Sequence, residues 1–364
     1  MLVTHHLANM KVIKLENGSR YTHKLPEGCI YCAEGSKMVL LVTGRCEAEC
    51  WYCPLSEKKK DRSVVYADEK KVENDEEILS EARSIDAAGT GITGGDPLIT
   101  KRSLKYIELL KREFGEEHHI HLYTQSTNLK YIERLYKAGL DEIRFHPPVT
   151  RWNKIEKTDY IDLFEKLREK TRLDVGIEIP VIPGMKDEIL HLIKNSSDHV
   201  SFLNLNELEF SSTNTQALQE RGYEHKSDVS SGVKDSEDLA YSMLNIGFEV
   251  PLHYCSLSFK DGVQLTNRIK RRAQNVAKKG DIVTEDGTLI RGLIESEKPK
   301  TLYKKLKKQF GLDDHHIWYD SENDRLEGDI TVIKEMNPLI DQECYGIELY
   351  PTSDHLEVER WPLS

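Results

Sequence analysis

Between residues 38 and 255, seven short apolar runs alternate with stretches of helical periodicity. The runs are MVLLVTG (38–44), TGITGG (90–95), HIHLYT (119–124), EIRFHP (142–147), DVGIEIPVIPG (174–184), VSFLNLNELEF (200–210) and FEVPLHYC (248–255). Between them, Ile78, Ala82 and Ile85 share a helical face behind an Asn74–Glu77 capping box, with Gly89 as the stop. Leu104, Ile107, Leu110 and Phe114 repeat at helical spacing. So do Leu129, Ile132 and Leu135, between the cap Asn128 and the terminator Gly139, and Ile161, Phe164 and Leu167. Strands joined through helices run parallel, because a parallel pair needs a long crossover. The alternation therefore confines this region to a barrel or an open α/β sheet.

Residues 207–235 break the rhythm with a polar, Ser-rich stretch that reads as a long connection or lid. Beyond Gly280 the pattern changes to short strands, a turn at Glu285-Asp286-Gly287 and one helix at 301–310. The expected organisation is an N-terminal segment 1–37, a barrel domain 38–265, a basic linker helix 266–280 and a small α+β domain 281–364.

Charged residues make up 31% and hydrophobic residues 38%, which fits a folded globular chain. The formal charge of -11 gives no global signature of nucleic-acid or anionic-membrane binding. No apolar run approaches the ~20 residues of a membrane span. The N-terminus lacks an apolar stretch of signal-peptide length, which points to the cytoplasm, where thiols stay reduced.

Five of the seven cysteines fall between Cys29 and Cys53, a clustering that favours metal chemistry over a disulfide framework. Cys46, Cys50 and Cys53 follow the first apolar run with the spacing C-x3-C-x2-C. Thiolates suit iron–sulfur clusters or zinc. Three ligands in one loop leave one iron of a 4Fe–4S cube open to a substrate or cofactor, whereas a structural zinc site would take a fourth residue from elsewhere.

This loop, with the aromatic Tyr52 before its last cysteine, resembles the radical S-adenosylmethionine (SAM) enzymes. Gly94-Gly95-Asp96-Pro97 after the second run resembles the family's Gly-Gly-Glu-Pro turn, with Asp in place of Glu. GLDEIRFHP (139–147) and VIPGMKDE (181–188) resemble its fourth strand and an Ile-Pro-Gly segment of activating enzymes for glycyl-radical proteins. The chain as a whole is similar to an archaeal group related to pyruvate formate-lyase activating enzyme. The resemblance implies a partial (β/α) barrel and a 4Fe–4S cluster on Cys46, Cys50 and Cys53 whose open iron takes the amino and carboxylate groups of SAM. It also implies reductive cleavage of SAM to a 5′-deoxyadenosyl radical that abstracts a hydrogen atom, with an external one-electron donor. Tyr52 would lie beside the adenine, and Gly94, Gly95, Asp96 and Pro97 would hold the methionine ammonium group. Arg144, which would share a strand face with His146, is a candidate cofactor contact or one of a barrel-wall pair; Glu178, Asn204 and Asn206 are candidates for SAM or substrate contacts or satisfied core polar groups.

Cys29 and Cys32 form a C-x2-C pair, and His253 and Cys255 lie far downstream; together they make a Cys3His set for zinc or an auxiliary iron–sulfur cluster. In a parallel barrel, residues before the first strand and after the last lie at opposite ends unless the N-terminal segment doubles back over the top. Cys344 reads as a buried, inert thiol. His118, His119, His121, His315 and His316 read as solvated or capping residues. The substrate is not legible: the basic stretch Arg268, Lys270, Arg271, Arg272, Lys278 and Lys279 fits docking of RNA or a protein. A solvated helix face fits it as well, and a small metabolite in the barrel or a noncatalytic metal-binding role are the alternatives.

Overall fold

The computed structural model describes residues 11–363; the first ten residues of the expected N-terminal segment lie outside the described residues. The described chain divides into two compact units. One holds the residues up to Arg83 together with Ala87–Leu265, and the other holds Ser84–Asp86 with the residues from Thr266 onward.

The first unit is built on seven parallel strands: β1 (Lys37–Leu41), β2 (Gly89–Thr93), β3 (His119–Thr124), β4 (Glu142–Phe145), β5 (Asp174–Val181), β6 (Phe202–Glu207) and β7 (Leu252–Cys255). They neighbour one another in chain order, each parallel to the next. Short antiparallel strands take the two edges, Tyr66–Ala67 on β1 and Arg20–Tyr21 on β7, so the sheet does not close on itself. This is a partial (β/α) barrel. The helices that return the chain include α2 (Asp75–Ser84), α3 (Arg102–Phe114), α4 (Leu129–Lys137), α5 (Asp159–Lys170), α6 (Lys186–Ser196) and α7 (Ser236–Leu244). A shorter helix, α1 (Glu27–Ala33), precedes β1.

Successive strand residues point to opposite faces. Here the outward face carries the apolar set that packs under the helices: Met38 and Leu40, Ile120 and Leu122, Ile143 and Phe145, Ile177 and Ile179, and Leu203 and Leu205 are buried. The inward face is polar. Lys37, His121, Tyr123, Arg144, Glu178, Asn204, Asn206 and His253 all look into the lumen. The barrel is therefore held by its outer layer, and its centre is a polar interior.

Local signals account for most helix bounds. The Asn74 side chain accepts from Glu77 N at 3.0 Å, and that of Asn128 from Tyr131 N at 3.2 Å. α2 stops at Ser84, before Gly89, because Asp86 takes the left-handed conformation (φ 48) and Gly89 opens β2. In α5 Phe164 and Leu167 are buried as expected, and Tyr160 and Leu163 complete the buried face in place of Ile161.

The second unit is α+β. Its antiparallel strands β8 (Leu289–Ile294), β9 (Ile317–Asp320), β10 (Arg325–Gly328), β11 (Cys344–Leu349) and β12 (Glu357–Pro362) run in the order β9-β10-β8-β11-β12. It contains α8 (Thr266–Val276), α9 (Pro299–Phe310) and a further helix, α10 (Ile330–Met336). The last was missed because its β-branched run ITVI reads as a strand; Asp329 caps it by accepting from Thr331 N at 2.8 Å. Cys344 is buried in this unit's core. Much of the basic stretch is engaged internally. Arg271 Nε donates to the Ile85 carbonyl at 2.9 Å, Arg272 Nε to that of Pro351 at 2.7 Å, and Lys278 lies 4.5 Å above the Trp318 ring. Among the described residues no helix is long and apolar enough to cross a membrane.

Candidate functional site

The three-cysteine loop leaves the C-terminal end of β1, where loops in parallel α/β folds gather ligands. The Gly94-Gly95 turn leaves the same end of β2 and is hydrogen-bonded to the segment that leaves β1. Gly95 N donates to the Thr43 carbonyl at 2.8 Å, and Asp96 N to that of Arg45 at 2.9 Å. A Cβ on Gly95 would meet Arg45 O at 2.1 Å, and one on Gly94 would meet Thr43 O at 2.4 Å. These glycines are thus needed for the turn to approach the cysteine loop.

The Asp96 carboxylate does not line the cavity beside the cysteines. Its Oδ1 accepts from Leu98 N at 2.9 Å and from Thr124 Oγ1 at 2.8 Å, and its Oδ2 from Gln125 N at 3.0 Å. It caps the short turn Pro97–Ile99, in which Pro97 is buried. This fixes Gln125, whose Nε2 donates to Cys50 Sγ at 3.1 Å. Burial pushes the Cys50 thiol up, but hydrogen bonds and charge from His146, with Gln125 and Tyr52, outweigh it, and the net direction is down. Burial holds the Cys46 thiol up, although its sulfur accepts from Ala48 N at 3.4 Å.

Tyr52 is buried, and its hydroxyl lies 2.8 Å from His146 Nε2. His146 Nδ1 lies 2.8 Å from the Glu178 carbonyl, which can only accept. Nδ1 therefore carries a proton and donates to that carbonyl. The polar segment after β6 is strapped over this loop. Asn214 Nδ2 donates to the Tyr52 carbonyl at 3.0 Å, and Thr213 Oγ1 to that of Leu55 at 2.8 Å. Trp51 stacks on Tyr223 with centroids 5.9 Å apart, and Arg221 lies 4.6 Å over the Trp51 ring.

Below this rim the same cavity, of about 1020 Å³, continues into the lumen. Cys46, Cys50, Cys53, Tyr52, Gly94 and Gly95 line it, and so do Arg144, Glu178, Asn204, Cys29, Cys32, His253 and Cys255. Arg144 is the hub. It donates to Glu142 Oε1 at 2.5 Å, to Glu178 Oε2 at 2.8 Å and to Tyr123 Oη at 3.2 Å. Glu178 also accepts from Asn204 at 2.9 Å and Asn206 at 2.8 Å. Burial raises its carboxyl, but Arg144 and the two amides prevail and hold it below the ordinary value. Arg144 and Glu178 are thus satisfied within the chain, whereas Asn204 Oδ1 has no partner.

The histidines of β3 depart from expectation. His118, His119 and His121 are buried, and Lys37 Nζ lies 3.1 Å from His119 Nδ1 and 2.8 Å from His121 Nδ1. Burial pushes Lys37 down to about 8. The N-terminal segment doubles back beneath the barrel and not over the top as expected: Arg20–Tyr21 joins β7, and α1 crosses the N-terminal strand ends with Gly28 N donating to Glu142 Oε2 at 3.3 Å. Only glycine fits there, since a Cβ on Gly28 would meet His121 Nδ1 at 2.4 Å and Arg144 Nη2 at 2.7 Å. Gln125, Lys37, Glu142 and Asn214 went unread in the sequence. Gln125 had a signal, because it follows directly on a strand's C-terminal end.

Among the described residues, no three His, Cys, Asp or Glu side chains converge on a common metal position, and this holds for the rim cysteines as for the lumen set. The rim loop nevertheless fits a thiolate-bound cluster in its donor chemistry. It offers three sulfurs on one cavity wall, with N–H donors on two of them.

The sequence pattern of the radical SAM superfamily matches residues 40–195, and a domain of unknown function (DUF8061) matches residues 287–363. A protein of Methanocaldococcus jannaschii, provisionally named as a glycyl-radical enzyme activating enzyme, is 40% identical over an alignment 353 residues long that covers 93% of this chain and 93% of its own. With the three-cysteine loop and the Gly-Gly turn meeting at one end of a partial barrel, the chain belongs to the radical SAM superfamily and is an activating-enzyme-like radical SAM enzyme.

Proposed function

We propose that Cys46, Cys50 and Cys53 hold a 4Fe–4S cluster, and that the enzyme removes a hydrogen atom from a glycine of a protein partner. The observation that carries this reading is the single cavity shared by the cysteine loop and the Gly94-Gly95 turn. Its volume of about 1020 Å³ leaves room beyond a ligand the size of SAM. The name of the relative, a glycyl-radical enzyme activating enzyme, supports the protein substrate. Cluster and SAM together, reduced by an external one-electron donor, supply the 5′-deoxyadenosyl radical. The chain's own residues do the positioning. Gln125 steadies the Cys50 sulfur, His146 orients the Tyr52 hydroxyl, and Asp96 acts as a positioning residue through Gln125. The strap of Thr213 and Asn214 keeps the loop closed over the lumen.

The test is anaerobic reconstitution with iron and sulfide, then dithionite and SAM, with 5′-deoxyadenosine measured by chromatography. Protein, RNA and small-molecule fractions from source cells grown on α-deuterated glycine are added separately. Deuterium in the 5′-deoxyadenosine from the protein fraction supports the proposal. Deuterium only from the small-molecule or RNA fraction rejects the protein substrate. Failure to form any 5′-deoxyadenosine rejects the assignment of the three cysteines.

A further inference from the structure

We propose that Cys29, Cys32 and Cys255, with His253, form a second soft-metal centre inside the barrel. This does not depend on the reading of the rim cysteines.

Cys29 and Cys32 are three residues apart on α1 and so share one helical face. That face looks into the lumen, because both residues line the cavity. His253 and Cys255 are two apart on β7 and line the same cavity. The two pairs are brought together by strand register. His253 stands directly opposite Asn204 on the neighbouring parallel strand, a separation of about 4.8 Å between strands. Asn204 Nδ2 in turn donates to Cys29 Sγ at 3.4 Å. Cys29 and His253 therefore flank one amide, although they come from opposite ends of the domain.

Two further observations point to a ligand. His253 is 2% exposed, and neither of its ring nitrogens has a partner. An imidazole buried with both nitrogens unbonded is disfavoured, and a metal ion would satisfy one of them. Two of the three sulfurs are also supplied with N–H donors, as bound thiolates are. Arg144 Nη2 lies 3.4 Å from Cys29 Sγ, and Gln264 Nε2 lies 3.7 Å from Cys255 Sγ. Arg144 and Lys37 line the same cavity and offset thiolate charge in part, although burial still holds the Cys29, Cys32 and Cys255 thiols up. The four side chains do not meet in this structure, so closing the site requires them to rotate about their side-chain bonds toward one another.

Three thiolates and an imidazole suit tetrahedral zinc or an iron–sulfur cluster. Such a centre would tie the segment before β1 to the last barrel strand. The decisive sample is the triple variant Cys46→Ala, Cys50→Ala, Cys53→Ala. It is purified anaerobically, reconstituted with iron, sulfide and zinc, and checked for folding by circular dichroism. The expected result is about one zinc or about four iron per chain. Adding Cys32→Ser and Cys255→Ser should remove that metal. A folded triple variant with neither metal overturns the proposal, as does metal that survives the added serines. Should the triple variant fail to fold, the unmodified chain decides. Adding Cys32→Ser and Cys255→Ser to it should lower its metal by about one zinc or about four iron per chain, and unchanged metal overturns the proposal. Loss of SAM cleavage in the unmodified chain speaks against the rim reading alone.

Discussion

Two sets of cysteines face one cavity, and they are made in opposite ways. The rim set, Cys46, Cys50 and Cys53, is a local construction: eight residues of one loop, placed by the end of β1 and braced by Gly95, Gln125 and Asn214. The lumen set is non-local, with Cys29 and Cys32 on α1 and Cys255 on β7. The rim sulfurs are partly exposed at a loop, whereas Cys29 and Cys255 are buried among charged groups that neutralise one another. The rim can therefore change chemically without unfolding the barrel. The lumen cannot, because each of its charges depends on another.

The largest effect is expected at the rim and is confined to activity. Cys46→Ala, Cys50→Ala or Cys53→Ala should each abolish cluster absorbance and 5′-deoxyadenosine formation, while urea unfolding, compared between cluster-free samples of variant and unmodified chain, shifts by less than about 1 kcal/mol, as for substitutions away from a packed core. A variant that keeps full cleavage breaks the assignment of that cysteine.

In the lumen the effect should fall on stability. Arg144→Met leaves Glu142 and Glu178 facing each other in a buried site, which costs about 3–5 kcal/mol when one partner of a buried ion pair is removed. A urea midpoint equal to that of the unmodified chain would show that the lumen is well hydrated and the contrast false.

Asp96→Ala sharpens the comparison, because Asp96 belongs to the rim yet is hydrogen-bonded like a lumen residue. Losing its bonds should cost about 1.5–3 kcal/mol and, through Gln125, weaken SAM binding as well. If SAM affinity falls while stability is untouched, the carboxylate reaches the ligand directly, as the sequence had suggested.

The smallest effect is an acid sensitivity at the base of the barrel. Burial pushes His118 down to about 4 and His119 to about 2. Both stay neutral when folded and take up a proton on unfolding once the pH drops below ~6.5. Stability should be intact above that pH and fall below it toward 4, by about 1.4 kcal/mol per pH unit for each histidine. Urea midpoints between pH 7 and 5 measure the slope, and His118→Gln should reduce it. A flat profile would mean that these histidines are already charged in the fold.

All seven strands were legible because each carries a continuous or alternating apolar run between turn signals. α10 was not, since seven residues with a β-branched run satisfy either period. Gln125 escaped notice because a single polar residue after a strand has no pattern of its own. His119 and His121 looked like solvent-facing residues because the lumen that buries them is lined by seven strands and plugged by α1, which no local window contains.

By itself the sequence determined the alternation of strands and helices, the rim cysteines and the turn that meets them. Those depend on spacing within one loop or one element, where a few covalent bonds limit the possible positions. Only the tertiary structure decided that Asp96 braces Gln125, that Arg144 joins Glu142 to Glu178, and that Cys29 and His253 flank Asn204. Such neighbours are set by sheet register and by the doubling back of α1, and a chain brings distant residues together only after its helices and strands have packed.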